Sequence, residues 1–319
     1  MTSTIKPGWS KPSTILFASE YPANQKALNF AAAQARESGA HLILFHAYDT
    51  LVVAASETSG ICYYDYAAAA RTEQQQLEPL ARRLRAEGVD CEVVVRPGLP
   101  ADQILKLLNE RSVDRIVMGT HAPGPIGKML VGSVAEAVLR TASVPVCVIG
   151  PDTVDARYRN YATETILCAL SLTETSPVVT QFAAELAAQH KARLILQYVI
   201  RPQERTDVLS GRSVGDIEHE LLSLVPEELR GPLSIEPVVV PGEPAEELLY
   251  QARAQQADMI VLSAMAASAF AAITRHGVVY RVMARAHCPV MTLSPALLEA
   301  CGVKHGVHHV AQDFLAGVI

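Results

Sequence analysis

The stretch Met118-Gly119-Thr120-His121-Ala122-Pro123-Gly124-Pro125-Ile126-Gly127-Lys128-Met129-Leu130-Val131-Gly132-Ser133 joins a short β-branched run to a segment of helical composition. Glycines in such a position let backbone N–H groups approach phosphate oxygens. The helix that starts at Ser133 adds a partial positive charge and a hydroxyl. Anion binding is therefore the chemistry this loop can perform. It is not a Walker-type loop: between Ala122 and Met129 the first glycine is replaced by Ala122, and the hydroxyl that would hold magnesium by Met129. His121 lies inside the loop and could touch a phosphate, or it could simply face solvent.

Other chemistry is sparse. Cys301, His305, His308 and His309 have spacings a metal could use, with His305 and His309 sharing a helix face, but no fourth partner is evident. There is no Gly-x-Ser-x-Gly elbow, no HExxH and no base beside a nucleophile, so a dedicated enzyme is not expected. The six cysteines include no CxxC pair, and most sit in apolar runs such as Val146-Cys147-Val148, as reduced thiols used as small hydrophobes would.

Composition narrows the partners. Charged residues make up 19% of the 319 and the net charge is −6, which gives no basic surface for a phosphate backbone, so nucleic acid is not expected. Residues 1–12 lack the apolar core of a signal peptide. The longest uncharged apolar stretch, between Asp258 and Arg275, is shorter than the roughly 20 residues a spanning helix needs. A cytoplasmic protein without a membrane segment is the expectation.

The elements that would position the loop occur twice. Thr14-Ile15-Leu16-Phe17-Ala18 recurs as Thr165-Ile166-Leu167-Cys168-Ala169 at an offset of 151, and Ala40-His41-Leu42-Ile43-Leu44 as Ala192-Arg193-Leu194-Ile195-Leu196 at 152. Pro97-Gly98-Leu99-Pro100-Ala101 recurs as Pro241-Gly242-Glu243-Pro244-Ala245, and Val144-Pro145-Val146 as Cys288-Pro289-Val290, both at 144. The change of offset puts about eight extra residues of the first copy within 51–70. Strands are expected at Thr14 to Ala18, His41 to His46, Cys91 to Arg96, Arg115 to Met118 and Val144 to Ile149. Helices are expected at Gln25 to Ser38, Ala69 to Glu87, Ala101 to Ser112 and Ser133 to Thr141. This alternation implies parallel strands with helices on both faces, an α/β fold. The reading divides the chain into a first domain at 1–150, a second at 160–295 and a tail at 296–319.

With Gly119, then Ala122, nine further residues and Gly132-Ser133, the loop resembles the G-2x-G-9x-G-[ST] signature of the universal stress protein family. Val134-Ala135-Glu136-Ala137-Val138-Leu139-Arg140 and Val144-Pro145-Val146 continue the match. The resemblance covers roughly 14–294. It implies two tandem doubly wound parallel-sheet domains, Rossmann-like and adenine nucleotide alpha hydrolase-like. It also implies a site for ATP or a related adenine nucleotide, with Mg accompanying the nucleotide, at Met118, Gly119, His121, Ala122, Gly132, Ser133 and Val134. Ala18, Ser19 and Glu20 at the end of the first strand would complete it, with Ala47 at the end of the second. Two departures are visible: Glu20 stands for the family's aspartate and Ala122 for its middle glycine.

In the second copy Gly119 becomes Ser263, Ala122 becomes Ala266, Gly132 becomes His276, Ser133 becomes Gly277, and the strand-one carboxylate becomes Ser171. That copy is not expected to bind ATP in the family manner. The resemblance further implies pairing of the copies through their last strands, Val144 to Ile149 and Pro289 to Leu293, and a homodimer is a further assembly to consider. Three readings stay open: a nucleotide-binding stress or regulatory protein; a structural or adaptor module in which the tandem serves as a preassembled dimer; and slow ATP hydrolysis, for which no water-activating residue can be named.

Overall fold

The computed structural model describes residues 5–18, 24–48, 66–120, 132–155, 162–202, 212–264 and 277–303. Strands β1 (Thr14–Ala18), β2 (His41–Tyr48), β3 (Cys91–Pro97), β4 (Arg115–Gly119) and β5 (Val146–Ile149) alternate with helices α1 (Gln25–Ser38), α2 (Tyr66–Ala86), α3 (Pro100–Glu110) and α4 (Ser133–Thr141). The second half follows the same plan. It runs through β6 (Thr165–Leu170), α5 (Ser176–His190), β7 (Arg193–Ile200), α6 (Val214–Ser223), α7 (Glu227–Arg230), β8 (Ile235–Pro241), α8 (Pro244–Ala254), β9 (Met259–Ser263), α9 (Val278–Arg285), β10 (Val290–Leu293) and a last helix, α10 (Pro295–Ala300).

All ten strands form one sheet in the order β3-β2-β1-β4-β5-β10-β9-β6-β7-β8. Neighbours within each half are parallel, and β5 meets β10 antiparallel, with Val146 opposite Thr292, Cys147 opposite Met291 and Val148 opposite Val290. These strands start two residues later than the expected Val144 and one later than the expected Pro289, because Pro145 and Pro289 have no N–H to give a ladder. Their carbonyls are still used, accepting from Ile116 N and Ile260 N at 3.0 Å in each half.

Alternation along the strands sends side chains to two cores. Ile15, Phe17, Val117, Cys147, Leu194 and Leu196 pack beneath α1, α2, α5, α6 and α10. Leu16, Phe45, Ile116, Met118, Val148 and Ile260 pack beneath α3, α4, α8 and α9. Each large side chain taken fully out of water contributes about 2 kcal/mol, so both faces of this sheet must be covered. The segment read as a tail begins inside the first of these cores: α10 buries Leu297 and Leu298 completely, and Ser294 caps it by accepting from Leu297 N at 3.0 Å.

One local device recurs in both halves. Asp114 Oδ2 accepts from Ser13 N at 2.8 Å and Thr14 N at 3.1 Å, fixing the start of β1; Asp258 Oδ2 does the same for Glu164 N at 2.9 Å and Thr165 N at 3.0 Å. One device is confined to the first half. Arg115 is 1% exposed, and its guanidinium donates to the carbonyls of Trp9 at 2.8 Å and Ser10 at 3.4 Å and to Gln34 Oε1, so it ties residues 9–10 to α1. Burial pulls its pKa down to about 10, against the smaller opposing pull of Cys147, Glu37 and Asp114. The corresponding residue of the second half is Met259, also fully buried.

Candidate functional site

Strand order in the first half reverses between β1 and β4, so their carboxyl ends part and leave the crevice at which open parallel sheets take ligands. Ala18 ends β1, with Phe45 of β2 and Met118 of β4 on either side of it. Ala47 lies two residues beyond Phe45, and Val134 reaches the same core from the first turn of α4. Ala18, Ala47, Met118 and Val134 thus share one apolar face of the sheet. Ala47 and Met118 are buried, while Ala18 and Val134 are half-buried at the rim.

Gly119 ends β4 opposite Ile149 of β5. A Cβ there would lie 2.4 Å from Asn24 Nδ2 and 2.8 Å from Asn24 Cγ, so the side chain that caps α1 occupies the space the glycine leaves. Asn24 Oδ1 accepts from Ala27 N at 3.1 Å. This asparagine stands at the mouth of the crevice and was not among the residues singled out from the sequence. An Asn immediately before the apolar periodicity of Gln25 to Ser38 was the available signal. After Gly119 the chain is drawn to β5, where Thr120 N donates to Ile149 O at 3.0 Å and the Thr120 hydroxyl to the same carbonyl at 3.4 Å.

Gly132 is the N-cap of α4, with φ −62° and ψ 156°, and it offers no side-chain acceptor to the first-turn N–H groups. Ser133 follows, exposed. Among the described residues no side chain caps this nine-residue helix, which starts with backbone donors and a hydroxyl, the arrangement an anion uses. Ser19, Glu20, His121 and Ala122 lie outside the described residues. Among the described residues no group of His, Cys, Asp and Glu could hold a metal ion. A magnesium ion carried in with a nucleotide would have the Ser133 hydroxyl and the nucleotide's own phosphates as oxygen donors.

The second crevice, between β6 and β9, is built from different side chains. Ser263 replaces Gly119 at the strand end, and Ala264 N donates to Leu293 O at 2.9 Å just as Thr120 does to Ile149. Gly277 takes up φ −61° and ψ 156° as the N-cap of α9, so a cap glycine survives one position beyond where the repeat offset puts it. The residue after it is Val278, and the hydroxyl is gone. At the end of β6, Ser171 and Thr173 join hydroxyls at 3.1 Å, as do Thr173 and Thr175, in place of a carboxylate. Ala266 and His276 lie outside the described residues.

The cysteines behave as packing groups. Cys91, Cys147, Cys168 and Cys288 are buried thiols outside any disulfide, and burial pushes Cys147 up to about 12 and raises Cys168 further. Cys301 is half-buried with its thiol also raised by burial; Cys62, His305, His308 and His309 lie outside the described residues.

With this geometry in hand, comparison with known proteins is consistent on the family. The sequence profile of the universal stress protein family matches residues 13–150 and again 162–294. A universal stress protein of Bacillus subtilis is 30% identical over 131 residues, spanning 39% of this chain and 88% of that protein. One of Thermus aquaticus is 31% identical over the same length and the same shares. A solved universal stress protein from Archaeoglobus fulgidus superposes with a TM-score of 0.68 at 18% identity, covering 90% of this chain and 97% of that one. A putative universal stress protein from Pseudomonas aeruginosa gives 0.59 at 17%, over 92% and 99%. These two establish likeness of fold. Matched twice by the profile over most of its length, the chain belongs to the universal stress protein family and carries the family domain in tandem.

Proposed function

We propose that the protein is a stress-response or regulatory binding protein that takes ATP or a related adenine nucleotide in its first half and carries no dedicated catalytic machinery. The observation that carries this reading is the uncapped N-terminus of α4. Gly132 contributes no side chain, Ser133 is exposed, and Val134 packs on the same face as Ala18, Ala47 and Met118 at the sheet's point of reversal. Apolar groups for a base and a donor-rich helix end for phosphates lie on one crevice. Among the described residues none is placed to activate water, so turnover is not part of the proposal. Buried thiols outside any disulfide support a reducing setting, and no helix among the described residues is long and apolar enough to cross a membrane.

Extraction of small molecules from the purified protein, together with calorimetric titration of ATP, tests it. Ser133→Glu should weaken ATP binding at least tenfold by putting a negative charge where phosphate would sit. Empty extracts and no heat at millimolar ATP would reject the reading. A second reading, an adaptor whose tandem is a preassembled dimer, is favoured by the β5–β10 ladder, which closes inside one chain the edge each half would otherwise expose. Failure of ATP binding with retention of this ladder would select it.

A further inference from the structure

We infer that the second half holds a ligand site of its own, built on the side-chain amide of Gln197 and suited to a neutral, planar amide or nucleobase rather than to a phosphate. Gln197 is 1% exposed, and neither its Nε2 nor its Oε1 has a hydrogen-bond partner. A buried amide left unpaired is costly, and native structures carry few of them, so its retention calls for a partner.

Its position supports a ligand as that partner. The flanking residues Leu196 and Tyr198 belong to the core under α5 and α6, so alternation sends Gln197 to the opposite face, the one covered by α8 and α9. In register it lies between Ala169 of β6 and Val238 of β8, both only half-buried. Ala169 is one residue from the carboxyl end of β6, where the second half's strand order reverses towards β9. The repeat offset makes Phe45 its counterpart, a residue that packs in the first half with Met118 and Val134. An amide thus stands where the first half has an aromatic ring, beneath a crevice that has lost the strand-end glycine and the helix-start hydroxyl.

The chemistry defines the ligand class. A primary amide presents an acceptor and donors side by side, and its complement is a molecule with a donor next to an acceptor in one plane: a carboxamide, a lactam or the edge of a base. The neighbouring Ala169 and Val238 are apolar, so the seated group must be neutral, since a charge would forfeit its hydration there. The hydroxyls of Ser171 and Thr173 at the end of β6 remain for any polar remainder. This inference is independent of nucleotide binding in the first half.

The full chain, labelled with 15N-glutamine, would be titrated with nicotinamide, adenine and uracil, following the Gln197 side-chain signal and the heat of binding. At least one probe should move that signal. Gln197→Leu, or Gln197→Met as a second variant of similar volume, should weaken its binding at least tenfold while leaving the melting temperature unchanged or higher and ATP titration unaltered. Three silent probes would overturn the site, as would undiminished binding by the variants. A long-lived water that stays on the amide in the presence of all three probes would overturn it too, making the residue a hydration site only.

Discussion

Cys147 and Met291 are equivalent residues of the two repeats, 144 positions apart, and they lie directly opposite one another in the antiparallel β5–β10 ladder. The pairs on either side, Val146 with Thr292 and Val148 with Val290, are likewise exchanged by the repeat offset. The internal symmetry of the sequence and the two-fold symmetry of the sheet therefore share one axis, which passes through this pair. A covalent chain has been built on the geometry of an isologous dimer.

That axis predicts how the first half behaves alone. Residues 13–155 expressed without the second half would expose β5, and the same pairing between two copies would put Cys147 opposite Cys147. Antiparallel partners stand about 4.5–5.5 Å apart at Cα, within disulfide range. The fragment should run as a dimer on gel filtration and cross-link under oxidant through Cys147, whereas in the full chain Met291 occupies the facing position. A monomeric fragment that does not cross-link would show that the ladder depends on the linked second half.

Gly150 carries the next prediction. A Cβ there would lie 2.2 Å from Met283 O, a backbone atom of α9 that cannot swing aside. Across the axis the equivalent residue, Ser294, donates its hydroxyl to Ala142 O at the end of α4. Gly150→Ala should therefore force the halves apart locally and cost about 2 kcal/mol or more in urea unfolding. Ser294→Ala, which loses this bond and the cap on Leu297 N, should cost about 1–2 kcal/mol.

Such contacts mark what the sequence does and does not expose. The strands of each half were legible because β-branched runs such as Thr14 to Ala18 recur in the same order in both halves, and the helix at Ser133 to Thr141 because its apolar spacing is local. Gly150 and Ser294 read as ordinary strand-end residues, since their partners lie more than 100 positions away and leave no periodic trace. Asp114 and Asp258, whose partners lie about a hundred positions back along the chain, leave no such trace either. Gly119 was legible as a glycine that something approaches, but the sequence pointed to phosphate and the structure shows the side chain of Asn24. The buried leucines of α10 were missed because six residues are too few to declare a helical face.

The contact between Gly119 and Asn24 separates two uses of one glycine. Gly119→Ala should displace Asn24 from its cap and cost about 1 kcal/mol, and Asn24→Ala should cost a similar amount by removing the acceptor for Ala27 N. If the glycine serves only the cap, the two losses will not add in the double variant, because both delete one interaction. Additive losses in thermal unfolding, or an ATP affinity that falls for Gly119→Ala and not for Asn24→Ala, would assign the glycine a second role.

Arg115 gives a prediction in pH. Its guanidinium is held at about 10 by burial, below its ordinary value, so between these values the unfolded chain binds more protons than the folded one. The stability contributed by this group is then lowest and constant below about pH 9, and rises as pH climbs through the folded value, by at most about 1.4 kcal/mol per unit. Arg115→Met, which copies Met259 of the second half, removes that dependence. Urea midpoints should thus draw ahead in the wild type, relative to the variant, between pH 9 and about 11. At neutral pH the variant leaves the carbonyls of Trp9 and Ser10 without their donor, so the N-terminal segment should loosen and chymotrypsin should cut after Trp9 several-fold faster. Equal cleavage rates together with parallel pH curves would mean that residues 9–10 are held by the packing of Ile5 and Trp9 alone.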